Sequence, residues 1–143
     1  MTVREAKASD LINEVARALE AKKEIQPPAW VSITKTGVCC ERPPAQDNFW
    51  YLRAASLMRK LYLSDEPIGV RTLQTVYGKK RRRGHKPPHH RKSGGKIIRL
   101  MLQQLEKCGF IAKVEKPKRG RVITPKGKAF LDKIASKLVK KNG

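Results

Sequence analysis

GGKIIRLMLQQLEKCGFIAKVEKPKRGRVITPKGKAFLDKIA, residues 94–135, is the stretch that decides the fold. Ile98, Met101, Leu102 and Leu105 recur at three- and four-residue spacing, which predicts a helix from about Gly95 to Lys107 with one apolar stripe. Gly109 ends that helix, and Cys108, just past the stripe, reads as a small core residue. Phe110 to Val114 and Arg121 to Thr124 then read as short strands around the turn KPKRG, a hairpin with a basic tip. Thr124 is placed to cap a last helix, with Pro125 at its first position, where a missing N–H costs nothing. Phe130, Leu131, Ile134 and Leu138 give that helix its inner face, and Lys140 to Gly143 form a frayed tail.

Upstream, Leu11, Ile12, Val15, Ala16 and Leu19 mark a first helix, with Ser9 or Asp10 as its cap and Lys22 and Lys23 near its end. Pro27 and Pro28 stop any continuation. Residues 27–47 read as loop, tacked to the core by Trp30, Val31 and Ile33. Asp47 is positioned to cap a second helix, Asn48 to about Leu63, whose apolar set is Phe49, Trp50, Ala54, Leu57, Met58, Leu61 and Tyr62. Gly69 to Tyr77 reads as a short third helix with Leu73 and Val76 inward, closed by Gly78. Helix, helix, short helix, basic loop, helix, hairpin, helix is a mainly α order. Residues 48–124 resemble a winged helix-turn-helix with extra terminal helices and a small β-hairpin wing, in a single domain over 1–143.

The charge is unevenly placed. Residues 1–66 carry 10 Lys/Arg against 9 Asp/Glu, whereas residues 67–143 carry 23 against 3, so almost all of the net +21 lies in the second half. Self-repulsion on that scale does nothing for folding, and a polyanion relieves it. The extreme is GKKRRRGHKPPHHRKSGGK, residues 78–96, with nine Lys/Arg, three His and no acid. Solubility alone asks for a net charge of only roughly 2–8. Lacking apolar periodicity and broken by Gly and Pro, this stretch is expected to be a flexible or extended loop. Its Lys79, Lys80, Arg81, Arg82, Arg83, His85, Lys86, His89, His90, Arg91, Lys92 and Lys96 are candidate nucleic-acid contacts. Arg99 on the next helix, Lys118, Arg119 and Arg121 around the hairpin, and Arg53 and Arg59 among the aromatics of the second helix join them.

Other classes fare worse. No run of about 18 apolar residues crosses a membrane, and the polar N-terminus has no signal core, so the cytosol is expected. A membrane-surface role asks for an amphipathic helix, not a basic loop. Cys39, Cys40 and Cys108 are an odd number without paired zinc-ligand spacing, and the three His lie among cations, so neither a disulfide framework, a metal nor a cofactor is expected. No catalytic triad, phosphate-cradling Gly loop or carboxylate pair appears, so the chain is not read as an enzyme; a ribonuclease built on His85, His89 and His90 is the weakest alternative. A winged-helix DNA regulator using Lys96, Arg99, Gln103 and Gln104 is the stronger one. Against it, the connection between the two helices far exceeds the usual 3–4 or so residues of a helix-turn-helix, and the charge spreads over several surfaces, which suits folded RNA.

PPAWV (27–31), NFWYLRAASLMRKLYL (48–63), VYGKKRRRGHKPPHH (76–90), GGKIIRLMLQQLEKCGFI (94–111) and GRVITPKGKAFLDKIA (120–135) together resemble the S-nineteen-e family of archaeal and eukaryotic small-subunit ribosomal proteins, and ERPP (41–44) gives an archaeal look. The resemblance spans essentially the whole chain. It implies a winged-helix-like fold, binding to small-subunit ribosomal RNA in the subunit head beside neighbouring ribosomal proteins, a part in subunit maturation, and a monomer when free. It implies RNA contacts at Arg53, Arg59, Lys79 to Arg83 and Arg99, and assigns no role to Cys39 or Cys40.

Overall fold

Spacing of apolar residues fixes most of the helices. The structure is a computed structural model that describes residues 3–115 and 118–142. Helix α1 (Ala8–Glu20) buries Leu11, Val15, Ala16 and Leu19, and α2 (Phe49–Leu63) buries Phe49, Trp50, Ala54, Ala55, Leu57, Met58 and Leu61. These two faces pack together, with α5 (Pro125–Asn142) across both. Helix α3 (Val70–Val76) lies against α4 (Gly95–Lys107), whose stripe of Ile97, Ile98, Met101, Leu102 and Leu105 is fully in the core. Each such side chain taken from water stabilises the fold by about 1.5–3 kcal/mol before entropy is counted.

Local chemistry closes the elements. Thr124 Oγ1 accepts the Gly127 N–H at 3.2 Å and donates to the Gly109 carbonyl at 2.6 Å, so one hydroxyl both caps α5 and ties it to the end of α4. Trp50 donates from Nε1 to Gln104 Oε1 at 2.8 Å, and Gln104 Nε2 donates to the Gln26 carbonyl at 2.9 Å. The indole is thus buried without stranding its donor. The caps expected at Ser9 or Asp10 and at Asp47 are not used. The N-caps are Lys7 and Asn48, neither with a side-chain cap bond.

Two antiparallel hairpins complete the fold. Strands β3 (Ile111–Val114) and β4 (Gly120–Ile123) pair in regular register, with Ile111 opposite Ile123 in the core. Ile68, just before α3, exchanges both backbone bonds with Arg121 at 3.1 and 3.0 Å, adding a one-residue third strand. A Cβ on Gly120 would lie 2.9–3.0 Å from the Ile68 backbone, so only glycine admits that approach.

The second hairpin corrects an expectation. Residues 78–96 are not an unpaired loop: β1 (Lys79–Arg83) and β2 (Lys86–Arg91) form an antiparallel ribbon. Gly84, at φ +69°, makes the tight turn. Between the pairs Arg81–His89 and Arg83–Lys86, Arg82 faces both Pro87 and Pro88. The prolines, which have no N–H to give, are absorbed as a bulge. Two apolar assignments also fail. Val76 is 52% exposed and Ile33 77% exposed, so neither helps the core. Val76 is the last residue of a seven-residue helix whose one buried residue is Leu73, and Ile33 lies beyond the short 3₁₀ turn Ala29–Ser32 that carries Trp30 and Val31 inward.

Candidate nucleic-acid interface

The ribbon β1–β2 is exposed at every position on both faces. Lys79 stands opposite Arg91, and Arg83 opposite Lys86. Like charges directly opposite destabilise a ladder, and the ribbon contains no acid to offset them. His85, His89 and His90 are exposed with the cations, and Lys92 follows at the exit. Arg83 Nε donates to the Pro87 carbonyl at 3.1 Å, which steadies the tip.

Backbone contacts seat the root of the ribbon. Ser93 N–H donates to the Gln74 carbonyl at 2.9 Å, and Gln74 Nε2 returns a bond to the Ser93 carbonyl at 3.0 Å. Gly94 N–H donates to the Thr36 carbonyl at 2.6 Å, and Gly37 bridges Ser93. The 33–47 loop is thereby held beside β1, and between them lies a cleft of about 860 Å³. Lys79, Lys80, Arg81 and Arg82 form one wall and Arg53 lines the same space. Cys39 and Cys40 face it from the loop.

Arg53 is half-buried between two rings, 5.1 Å from the centroid of Phe49 and 4.2 Å from that of Tyr77. Lys60 Nζ sits 5.2 Å from the same Tyr77 ring, and Tyr77 shares a 2.7 Å hydroxyl bond with Ser56. Two cations on one ring, with no carboxylate in ion-pair reach among the described residues, form an electropositive knot. Burial holds the proton affinity of Arg53 below its ordinary value, partly offset by Tyr77 and Cys40. Burial also lowers that of Lys60, with Arg59 and Arg53 pushing the same way. Arg59 Nε is buried with no hydrogen-bond partner among the described residues.

The remaining candidates divide. Lys96 and Arg99 are exposed on α4 with Gln103 and Lys107, and Lys96 Nζ rests 5.1 Å over Trp30. Gln104 is committed to Trp50 and Gln26, which removes it from any base-reading set. Lys118 pairs with Glu66 at 3.2 Å on the surface, and Arg119 is exposed. Lys116 and Pro117 of the expected basic tip lie outside the described residues. Arg121 is paired within the fold: its Nε is bonded to Glu106, with the two side chains only 13% and 23% exposed, and this pair clamps β4 to α4. The structure therefore brings Arg53 together with Lys79 to Arg82, places Lys96 and Arg99 on α4, and sets Arg119 and Arg121 on a separate groove of about 490 Å³ with Arg71 and Lys113.

Lys60, Lys35 and Arg42 near this surface escaped sequence reasoning. A lysine seven residues beyond a tyrosine-facing arginine carries no signal until α3 delivers Tyr77. Among the described residues no three His, Cys, Asp or Glu side chains cluster to hold a metal, and no helix is long and apolar enough to cross a membrane.

Comparison with known proteins finds relatives over nearly the whole chain. The family model described as ribosomal protein S19e matches residues 2–141. A protein of Aeropyrum pernix called small ribosomal subunit protein eS19 is 48% identical over 136 residues, 94% of this chain and 88% of that one. Proteins of the same name from Oryza sativa subsp. japonica and Haloarcula marismortui are each 39% identical, covering 96% of this chain and 92% and 91% of their own lengths.

Proposed function

The chain belongs to the ribosomal protein S19e family, and from that premise we propose that it docks on folded small-subunit ribosomal RNA in the subunit head, beside neighbouring ribosomal proteins, and assists maturation of the subunit. Family membership makes it a structural protein of the small ribosomal subunit in the cytoplasm, not an enzyme. The observation that carries RNA docking is the β1–β2 ribbon: eleven strand residues exposed on both faces, carrying cations opposite cations and no acid. Phosphate is the counter-charge such a surface lacks, and each one neutralised releases condensed counterions. The arginines offer bidentate forks to it.

The docking surface runs from the ribbon into the cleft at Arg53, with Arg59 nearby on α2, and over the exposed side of α4 at Lys96 and Arg99. Lys118 and Arg119 form a second, smaller contact. Arg121 supports that contact from within the fold. The fold is a single winged-helix-like domain in this reading. Helices α2, α3 and α4 correspond to its three helices, β3–β4 to its wing, and the Ile68 bridge to its third strand. The ribbon then occupies the turn between the second and third helices. A groove-reading helix needs that turn short, and here it is a projecting cationic arm. That favours RNA over a DNA operator.

Chemical footprinting of small-subunit RNA with and without the protein tests this. Protection confined to folded head-domain RNA, with co-sedimentation of the protein as a monomer joining small subunits, is the expected result. Equal or tighter binding to a duplex DNA operator overturns it.

A further inference from the structure

We propose that Cys40 is a modification site whose thiolate attacks anionic low-molecular-weight disulfides gathered by the cationic cleft. Neither the family nor RNA docking enters this inference, which rests on the placement of a thiol pair. Cys39 and Cys40 are free, partly exposed, and line the cleft together with seven Lys/Arg and one carboxylate, Glu41. The position of Cys40 is fixed on two sides. Its N–H donates to the Gly37 carbonyl at 3.1 Å, and its Sγ lies 3.1 Å from Thr36 Oγ1. Thr36 is itself held by Gly94 at the root of the ribbon. The sulfur is therefore built into the cleft wall and does not ride on a loose loop.

Electrostatics follow from that position. Burial alone would raise the Cys40 thiol. Hydrogen bonds from Thr36 and Cys39 and the positive charges of Lys79 and Arg53 outweigh it, and the thiol ends below its ordinary range. Cys108 shows the opposite case. It is buried in the core, and burial pushes it up, assisted by Glu24. A thiolate in electropositive, part-exposed surroundings is a reactive one, and a buried thiol is inert.

The step balances without a further reagent. The Cys40 thiolate attacks one sulfur of RS–SR. The Cys40–S–S–R bond forms as the reagent's S–S bond breaks, and RS⁻ leaves with the electron pair, so one thiolate replaces another. The Cys40 sulfur is oxidised and the departing sulfur reduced. A carboxylate-bearing R group is held by the same cations that lower the thiol.

The test uses the full chain and two disulfides of opposite charge, dithiobis(nitrobenzoate) and cystamine. Each rate is normalised to that reagent's rate with a small free thiol. Peptide mapping by mass spectrometry on the unaltered protein is expected to find the first adduct on Cys40. The normalised rate should favour the anionic reagent by about ten-fold or more, the scale on which a charged cleft concentrates a ligand. The preference should collapse in about 1 M salt, where the screening length falls to about 3 Å. Cys40→Ser should remove the fast phase and Cys39→Ser should keep it. A first adduct on Cys39 or Cys108, a normalised ratio near one, or indifference to salt overturns the proposal. Because the mapping needs no variant, a misfolded mutant does not protect the idea from failure.

Discussion

The two hairpins of this molecule share a topology and little else. β3–β4 is short, four residues a strand, yet it is held by core residues Ile111 and Ile123, by the Ile68 backbone bridge and by the Arg121–Glu106 pair. β1–β2 is longer but buries nothing, places like charges face to face, and is held at its root by backbone bonds to Gln74 and Thr36. An isolated two-stranded ribbon is marginal in water. One hairpin is therefore part of what keeps the protein folded, and the other is an appendage that the folded protein carries. Basic residues have opposite meanings in the two. Arg121 is an internal clamp, whereas Arg81 to Arg83 are unspent charge.

Breaking the core hairpin should have the largest effect. Ile111→Ala is expected to cost about 2–5 kcal/mol of global stability, read by denaturant unfolding. If it costs less than the ribbon variants do, the division fails. Charge reversal of Arg81, Arg82 and Arg83 comes next. Affinity for small-subunit RNA should fall roughly a hundred-fold, and the slope of log K against log salt should flatten by about 2–3. Global stability should stay within about 0.5 kcal/mol. Loss of stability without loss of binding would reverse the roles of the two hairpins. Glu106→Ala leaves Arg121 largely buried without its partner and is expected to cost about 1–3 kcal/mol. RNA affinity measured where the variant is fully folded should change far less than with the ribbon reversal. The smallest effect is at the turn. Gly84→Ala forces a side chain into positive φ at a local cost of about 1 kcal/mol. Amide exchange should quicken across 79–91 and the thermal midpoint should not move.

The contrast also explains what could be read from the sequence. Helix α4 runs from Gly95 to Lys107 as its apolar stripe required, because burial of Ile98, Met101, Leu102 and Leu105 leaves one choice of face and period. The Thr124–Pro125 start of α5 was equally legible, since a cap is a local chemical fact. The β1–β2 pairing was not. Its strands bury no face, so no alternation betrays them. Its order comes from Gly84 and from two prolines taken up in a bulge, signals that read as breakers in isolation. The clamp at Arg121 was hidden for another reason: its partner Glu106 belongs to a different element, and charge alone does not say which cations are already spoken for. The cleft beside Arg53 was invisible because the 33–47 loop is docked by the backbones of Thr36 and Gly37, which carry no side-chain signature.

The clamped root of the ribbon has a mechanical consequence. A six-residue strand reaches roughly 17–20 Å, so the arm is a lever whose pivot, at Ser93 and Gly94, is pinned to α3 and the 33–47 loop. A tilt of about ten degrees at that pivot sweeps the tip through roughly 3 Å at that length. Arg83 and Lys86 can therefore search over the spacing of hydrogen-bonding partners while the first residue of α4, directly after the pivot, stays in place.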